Sequence, residues 1–245
     1  MNPIIVIPAR MAASRLPGKP LADIAGQAMI VRVLHQALAA DIGPVVVAAA
    51  DSEIAHAVGA AGGAAVLTEP SLASGSDRVL AALERVDPER RHDVVVNLQG
   101  DMPFIDPAAP QAAVNLLTRE AACDIATLVA PEGSPGDRTN ADVVKAILAL
   151  NGDASCGRAL YFTRGVPYGE GPVWRHVGLY AYRRAALARF CVAPPSALEV
   201  RERLEQLRAL ELGLAIHAAI VPEAPVSVDT PADLEAARAF ALEQI

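Results

Sequence analysis

Continuous apolar runs alternate with helically spaced apolar residues through the first half of the chain. The runs Ile4–Ile7, Val45–Val47, Ala65–Leu67 and Val94–Val96 have the composition of buried strands. Between them, apolar residues recur every three or four positions, which predicts amphipathic helices. These helical positions are Met29, Ile30, Val33, Leu34, Ala37 and Leu38, then Ile54, Val58 and Ala61, then Val79, Leu80, Leu83 and Val86. The alternation predicts an α/β fold with right-handed crossovers and a mostly parallel sheet.

The pattern changes after about residue 124, where strand-like segments follow one another with less helix between them. These segments are Ile125–Val129, Val143–Leu148, Leu160–Thr163 and Val177–Tyr182. Their succession predicts a smaller lobe that is partly antiparallel or that forms an oligomer surface.

Two later helices are predicted from the residues that begin them. Ser196 and Glu199 match a capping box, and leucines continue the helical spacing as far as Leu210. Thr230 followed by Pro231 predicts a C-terminal helix over 231–244.

Composition and charge narrow the class of protein. Apolar residues make up 53% of the 245 positions and charged residues 20%, so a sizeable core is expected and disorder is not. The net charge of −7 argues against nucleic acid as a partner, because phosphate backbones require a basic face. No apolar run reaches the length of a membrane span, and the N-terminal run breaks too early for a signal peptide. Three scattered cysteines favour a reducing compartment, so we expect a cytoplasmic protein.

A local cluster of cations follows the first predicted strand. Arg10, Arg15 and Lys19 lie within ten residues of one another, among small residues such as Ala12 and Gly18. In an open α/β sheet, ligands bind beyond the carboxyl ends of the strands, so this loop favours a phosphate-rich ligand. It fits neither a Walker A loop nor a GxGxxG turn. A solvated surface loop with three ordinary basic residues is the alternative.

Two aspartates follow apolar, strand-like segments. Asp101 comes after the Val94–Leu98 run, and Asp229 precedes the last helix. Mg²⁺ prefers carboxylate oxygens together with substrate phosphates, so both aspartates are candidate metal ligands. Each has a plain alternative, since Asp101 could cap a turn and Asp229 could lie in the approach to a helix.

The segment Ile7–Leu21 resembles the signature loop of the sugar nucleotidyltransferases. In detail it resembles the loop of the 3-deoxy-manno-octulosonate (Kdo) cytidylyltransferases, or CMP-Kdo synthetases, from Ile7-Pro8-Ala9-Arg10 through Ser14-Arg15-Leu16-Pro17-Gly18-Lys19-Pro20-Leu21. The resemblance covers essentially the whole chain. It implies a Rossmann-like nucleotidyltransferase sheet and transfer of CMP from CTP to Kdo for lipopolysaccharide biosynthesis. It also implies Mg²⁺ as cofactor and a homodimer formed through the later lobe.

The change of pattern after about residue 124, together with the resemblance, suggests how the chain is divided. It is expected to be a single cytidylyltransferase domain over 1–245, with a nucleotide-binding part at about 1–123. A sugar-binding and dimerisation lobe would occupy about 124–225, before the C-terminal helix.

Individual site residues are implied by matches to the family's motifs. The catalytic group is Arg10, Lys19, Asp101 and Asp229, of which the two aspartates would bind the metal. The nucleotide-binding group is Pro8, Ala9, Arg10, Arg15, Lys19, Ser74, Gly75, Gln99 and Gly100. The sugar-binding group is Gln99, Arg164, His176, Tyr180, Glu205 and Gln206.

Some of these residues have equally ordinary interpretations. Ser74 could be a helix N-cap as well as a site residue. Tyr182, which follows Tyr180 in the same segment, could be a core aromatic. Glu205 and Gln206 could form a solvated helix face.

One residue departs from the family, because Met102 stands where a glutamate usually follows the aspartate. This departure puts the surroundings of the metal in question. The remaining alternatives are CMP activation of a sialic acid or an amino-substituted Kdo, and a nucleotide-binding module without catalysis.

Overall fold

The computed structural model describes residues 1–12, 15–134, 136–152 and 154–243. Contacts divide the chain into two compact units, Met1–Pro110 with Pro225–Ile245, and Gln111–Ala224. The single-domain organisation and the boundaries expected near residues 123 and 225 stay predictions. No helix among the described residues combines the length and apolar character needed to cross a bilayer.

The first unit contains a parallel four-stranded sheet in the order β5-β4-β1-β6. Its strands are β1 (Pro3–Ala9), β4 (Val45–Ala49), β5 (Ala64–Leu67) and β6 (Val94–Asn97). β1 lies in the middle, with Ile5 opposite Val45 on one side and Val96 on the other. Since the strand order reverses beside β1, the loops after β1 and β6 flank a topological switch point, where ligands of such sheets bind.

Helices connect these strands, as the periodicity predicted. They are α1 (Met29–Ala39), α2 (Ser52–Ala60) and α3 (Gly75–Val86), joined by the C-terminal α8 (Pro231–Glu243). A small hairpin, β2 (Asp23–Ile24) and β3 (Gln27–Ala28), precedes α1. The α8 face of Leu234, Ala237 and Ala241 packs on Ile24 and Met29, which fastens the end of the chain beside the start. Residue 244, the predicted end of the last helix, lies outside the described residues.

The second unit contains a mixed sheet in the order β10-β7-β11-β9-β8. Its strands are β7 (Ile125–Pro131), β8 (Lys145–Leu150), β9 (Cys156–Thr163), β10 (Trp174–Arg183) and β11 (Ile216–Ile220). Only β7 and β11 run parallel among these pairs; the others are antiparallel. The smaller helices are α5 (Arg184–Val192), α6 (Ala197–Glu202) and α7 (Gln206–Glu211), while α4 (Ala108–Arg119) spans the sequence boundary between the units. The predicted α/β class with a partly antiparallel second part is confirmed.

Three local predictions were wrong or incomplete. The helix expected from Ser196 to Leu210 is two helices, because α6 ends at Arg203, whose φ of 56° lies in the left-handed region. β8 begins at Lys145 rather than Val143. The elements β2, β3, α4, α5 and β11 were not predicted.

Candidate active site

Hydrogen bonds fix the conformation of the loop between β1 and Lys19. Gly18 donates to the carbonyl of Met11 at 3.1 Å, and its φ of 73° favours glycine. Lys19 then opens a short 3-10 turn with Pro20 as its second residue. The start of the loop is held by Asp51, whose Oδ2 accepts the Met11 amide at 2.8 Å. These hydrogen bonds hold both ends of the loop that contains the cations.

The two aspartates are joined through the backbone of their neighbours. The amide of Val228 donates to the carbonyl of Asp101 at 2.9 Å, so the approach to α8 runs beside the segment that follows β6. Asp233 then fixes Asp229, because its Oδ2 accepts the Asp229 amide at 3.0 Å and the Thr230 amide at 2.8 Å. These bonds, with that from the Thr230 hydroxyl, lower the pKa of Asp233 against the opposing effect of burial.

Lys19 lies between the two carboxylates. Its Nζ is 2.9 Å from Asp101 Oδ2 and 3.1 Å from Asp229 Oδ1, and Arg15 Nη2 is 3.1 Å from Asp229 Oδ2. Burial opposes the charge on Lys19, but the two carboxylates outweigh it and raise its pKa. Burial and the nearby Asp229 raise the pKa of Asp101, although Lys19 opposes the rise. One cation can therefore contact both carboxylates at once.

The N-terminus of α3 is capped by Ser74. Its Oγ accepts the Asp77 amide at 3.1 Å, while Asp77 Oδ2 accepts the Ser74 amide at 3.2 Å. The N-cap interpretation of Ser74 is confirmed. The capped N-terminus carries the partial positive charge of a helix end, which favours anions nearby.

Arg78, one turn into α3, is a buried cation of the same region and was assigned no role from sequence. It donates to Thr68 Oγ1 at 2.6 Å and to the carbonyls of Glu69 and Pro70 at 3.0 and 3.3 Å. Burial, reinforced by the charge of Arg10, lowers its pKa, while Asp51 opposes the change. Arg78 thereby fixes the segment 68–70 after β5.

Two residues before Asp101 require particular surroundings. Gln99 donates from Nε2 to Asn97 Oδ1 at 2.8 Å, which orients its amide. A Cβ on Gly100 would lie 3.1 Å from the Pro8 carbonyl oxygen, so only glycine avoids crowding there. Met102, in contrast, is 3% exposed and packs in the core.

These elements surround one pocket of about 280 Å³ in the first unit. Its lining is Pro8, Ala9, Arg10, Arg15, Lys19, Pro20, Ser74, Gly75, Arg78, Gln99, Gly100, Asp101 and Asp229. The structure thus brings together every residue predicted for the nucleotide and the metal. It adds Pro20 and Arg78.

The remaining sugar-binding candidates belong to the second unit. His176 and Tyr180 lie on β10 with ring centroids 5.5 Å apart, and Phe162 of β9 contacts the His176 ring at 5.0 Å. Burial raises the pKa of Tyr180, and the charge of Glu205 adds to the rise. Tyr182 is buried, which confirms its interpretation as a core aromatic.

The Glu205 and Gln206 pair begins α7. Glu205 lies 3.6 Å from Arg208 Nη2, and Gln206 is 8% exposed. A solvated helix face is therefore the wrong interpretation for Gln206.

Arg164 follows β9 and is tied to the unit through its backbone. Its carbonyl accepts the ammonium of Lys145 at 2.8 Å, and its Nη1 donates to the Ala141 carbonyl at 3.0 Å. Lys145 also donates to the carbonyls of Asn140 and Val143, so it is a fully buried cation held by three backbone oxygens. Burial, with the charge of Arg164, lowers the pKa of Lys145.

Comparison with known proteins defines the class. A cytidylyltransferase family model matches residues 4–216, and the fold resembles a nucleotidyl transferase from Methanothermobacter thermautotroptrophicus with a TM-score of 0.65 at 14% identity, covering 99% of each chain. The chain belongs to the cytidylyltransferase family, a family of nucleotidyltransferase enzymes.

Longer similarities place the chain within that family. It is 62% identical over 240 residues to the 3-deoxy-manno-octulosonate cytidylyltransferase of Rhodospirillum centenum, covering 98% of this chain and 93% of the relative. It is 59% identical to that of Parvibaculum lavamentivorans, with 97% and 92% covered. A structure of CMP:2-keto-3-deoxy-manno-octonic acid synthetase complexed with CTP matches with a TM-score of 0.91 at 37% identity, over 100% of both chains. The chain thus falls among the 3-deoxy-manno-octulosonate cytidylyltransferases, and the resemblance found in its motifs is confirmed.

Proposed function

We propose that this protein transfers CMP from CTP to Kdo and releases pyrophosphate, which supplies an activated sugar for lipopolysaccharide biosynthesis. The observation that carries the proposal is the pocket of the first unit, where four cations, a helix N-terminus and two carboxylates meet. The CTP complexed with the matched synthetase and the names of the relatives support the same substrates.

The residues around the pocket suit a nucleoside triphosphate. Arg10, Arg15 and Lys19 would pair with its phosphate oxygens, and the N-terminus of α3, beside the Ser74 cap, would add the backbone donor of Gly75. Positioning and electrostatics contribute most of the catalysis in phosphoryl transfer, so such a clamp is the main requirement.

The residues also fit a divalent cation. Asp101 and Asp229 already contact one ammonium together, so their oxygens converge. No cluster of three metal-binding side chains occurs within the described ranges, so phosphates and water would complete the coordination. When bound, Mg²⁺ would neutralise charge on the phosphates. In this arrangement Lys19 would turn from the carboxylates to the triphosphate.

The proposed reaction is a direct displacement at the α-phosphorus of CTP. The oxygen of the anomeric hydroxyl of Kdo forms a bond to that phosphorus and its proton passes to water, while the bond to the bridging oxygen breaks and pyrophosphate leaves with the electron pair. Arg10 and Lys19 would stabilise the charge that develops on the leaving group. Gln99, oriented by Asn97, would lie beside the nucleotide and contact the sugar.

Recognition of Kdo is proposed for the residues of the second unit. Arg164 would pair with the sugar carboxylate, while His176, Tyr180, Glu205 and Gln206 would bind its hydroxyls. The half-buried rings on β10 and the low exposure of Gln206 support these roles.

Two further properties belong to the proposal. A cytoplasmic location follows from the reducing compartment expected for the cysteines. A homodimer through the second unit is supported by exposed apolar side chains on β8 and β9, such as Ile147, Leu150 and Leu160. Light scattering that gives a monomer mass would contradict the dimer.

Incubation of the protein with CTP, Mg²⁺ and Kdo, followed by mass spectrometry, tests the proposal. The expected product is CMP-Kdo with one pyrophosphate per sugar. ATP and GTP serve as controls for base selection, and a sialic acid and 8-amino-Kdo as controls for the sugar. Turnover only with another acid would replace Kdo as substrate, and CTP binding without turnover on any acid would indicate a binding module.

A further inference from the structure

A β-bulge in β10 places two carbonyls beside one buried hydroxyl. The register on β7 shifts between Val177, which is opposite Leu128, and Tyr180, which is opposite Thr127. Thr127 is fully buried, and its Oγ1 lies 2.8 Å from the carbonyl oxygen of Leu179 and 3.2 Å from that of Val177. The third neighbour of this hydroxyl is His176 Nε2 at 3.0 Å.

Counting protons assigns the direction of these bonds. A threonine hydroxyl has one proton to donate, and carbonyl oxygens can only accept. If the proton pointed at His176, both carbonyls would face a lone pair of Thr127 at hydrogen-bonding distance. The hydroxyl therefore donates to Leu179, the nearer carbonyl. Nε2 of His176 must then carry a proton and donate to Thr127 Oγ1.

The other ring nitrogen of His176 is left as an acceptor. Burial lowers the pKa of His176 to about 4, so the ring carries a single proton at neutral pH. Nδ1 has no hydrogen-bond partner within the described part of the chain. It is not one of the buried polar atoms that lack a partner, so it is accessible from outside the protein. The flanking rings of Phe162 and Tyr180 restrict the imidazole to this orientation.

We propose that Thr127 is a positioning residue for sugar recognition: its hydroxyl, oriented by the bulge of β10, holds His176 as the Nε2–H tautomer, so that Nδ1 accepts a hydrogen bond from a sugar hydroxyl. The sugar part of this statement rests on the proposed function, because it takes His176 as a residue that contacts Kdo. The tautomer part concerns the protein alone and can be tested without any substrate.

Nitrogen NMR of protein labelled with ¹⁵N-histidine tests the tautomer. The five histidines are distinguished by comparison with His176→Gln. We expect His176 to show a protonated Nε2 and an unprotonated Nδ1 in the wild type and in Thr127→Ser. In Thr127→Val the ring should lose this preference and show a mixture of tautomers. A protonated Nδ1 in the wild type would overturn the proposal.

Steady-state kinetics tests the consequence for the sugar. A net hydrogen bond of about 1 kcal/mol corresponds to roughly fivefold, so Thr127→Val should raise the KM for Kdo by about three- to tenfold. The kcat and the KM for CTP should stay within about twofold of the wild type, on the same reasoning. Thr127→Ser, which keeps the hydroxyl, should restore the KM for Kdo.

A second background separates recognition from a purely structural role. His176→Gln keeps a donor toward Thr127 but removes the Nδ1 acceptor, so adding Thr127→Val to it should not raise the KM for Kdo further. If Thr127→Val lowers the melting temperature but leaves the KM for Kdo unchanged, Thr127 only fills the bulge and the proposal fails. A wild type that makes no CMP-Kdo would instead refute the proposed function, while the NMR result would still decide the tautomer.

Discussion

The two groups of predicted binding residues differ in chemistry. The pocket of the first unit uses charged side chains on loops, and these remain partly open to solvent: the side chains of Arg15 and Asp229 are 56% and 42% exposed. The candidates of the second unit include neutral rings on β10, and the buried Thr127 lies beside one of them. A triphosphate is recognised by charge, which tolerates water, whereas sugar hydroxyls require donors and acceptors of fixed orientation.

The largest effect should come from the carboxylates of the pocket. We expect Asp101→Asn to lower kcat by at least about 100-fold, because the amide has no charge to hold a cation beside the phosphates. Pyrophosphate release at saturating CTP and Kdo measures this. Circular dichroism should show an unchanged fold.

Asp41→Asn is the matched control, since Asp41 is an exposed loop residue with positive φ, which asparagine also adopts. Its turnover should equal that of the wild type. Near-normal turnover in Asp101→Asn would show that Asp101 does not bind the metal. The pocket of the first unit would then not work through charge as described above.

Lys19 provides the next test, because it occupies the place between both carboxylates. Lys19→Met should weaken CTP binding by about ten- to 100-fold, the value of a charged hydrogen bond to phosphate. In the free protein the same variant should bind Mn²⁺ more tightly than the wild type, since the competing ammonium is gone. Titration calorimetry and Mn²⁺ electron paramagnetic resonance measure the two effects, and weaker metal binding in the variant would contradict the arrangement.

Each unit also contains a buried cation that donates hydrogen bonds to neutral oxygens. Arg78 fixes the segment 68–70 beside the pocket, and Lys145 fixes the backbone of Arg164. Replacing either by Met leaves several buried acceptors without donors, so each should lower the free energy of unfolding by about 2–3 kcal/mol. Urea denaturation measures this.

The two variants should separate the substrates. Arg78→Met should weaken CTP binding and Lys145→Met should raise the KM for Kdo, each with little effect on the other substrate. If either variant weakened the binding of CTP and of Kdo equally, the two substrates would not be recognised by separate units.

The pocket of the first unit could be predicted from sequence because its residues follow strands in contiguous motifs. Loops after neighbouring parallel strands meet at one edge of the sheet, so Arg10 and Asp101 were bound to approach each other. Arg78 was missed, because arginine is usually exposed and nothing local marks it as buried. Asp233 had a signal, since threonine with aspartate three residues later is a capping-box pattern.

The details of the second unit depend on long-range register and could not be predicted. Thr127 lies inside an apolar run and reads as a core residue; its role comes from a bulge in a strand about fifty residues away. The break between α6 and α7 has no glycine or proline to mark it, since Arg203 adopts the left-handed conformation itself.

The smallest expected effect concerns the charge of His176. Its folded pKa of about 4 lies below the usual 6.5, so the folded protein binds fewer protons than the unfolded chain between these values. Stability from the neutral ring is therefore complete above pH 6.5 and is lost as the pH falls toward 4. Relative to His176→Gln, the wild type should lose about 1 kcal/mol by pH 5, allowing for the partly exposed ring.

Denaturation at several pH values, with the exposed His56→Gln as control, measures the difference between wild type and variant. Protonation would also place a proton on Nδ1, which could then no longer accept a hydrogen bond from the sugar. The KM for Kdo should therefore be constant from pH 8 to 6 and rise only near the folded pKa. A steep rise of that KM near pH 6.5 would mean that His176 titrates like a solvated histidine. The neutral recognition that distinguishes the second unit from the charged pocket would then be lost.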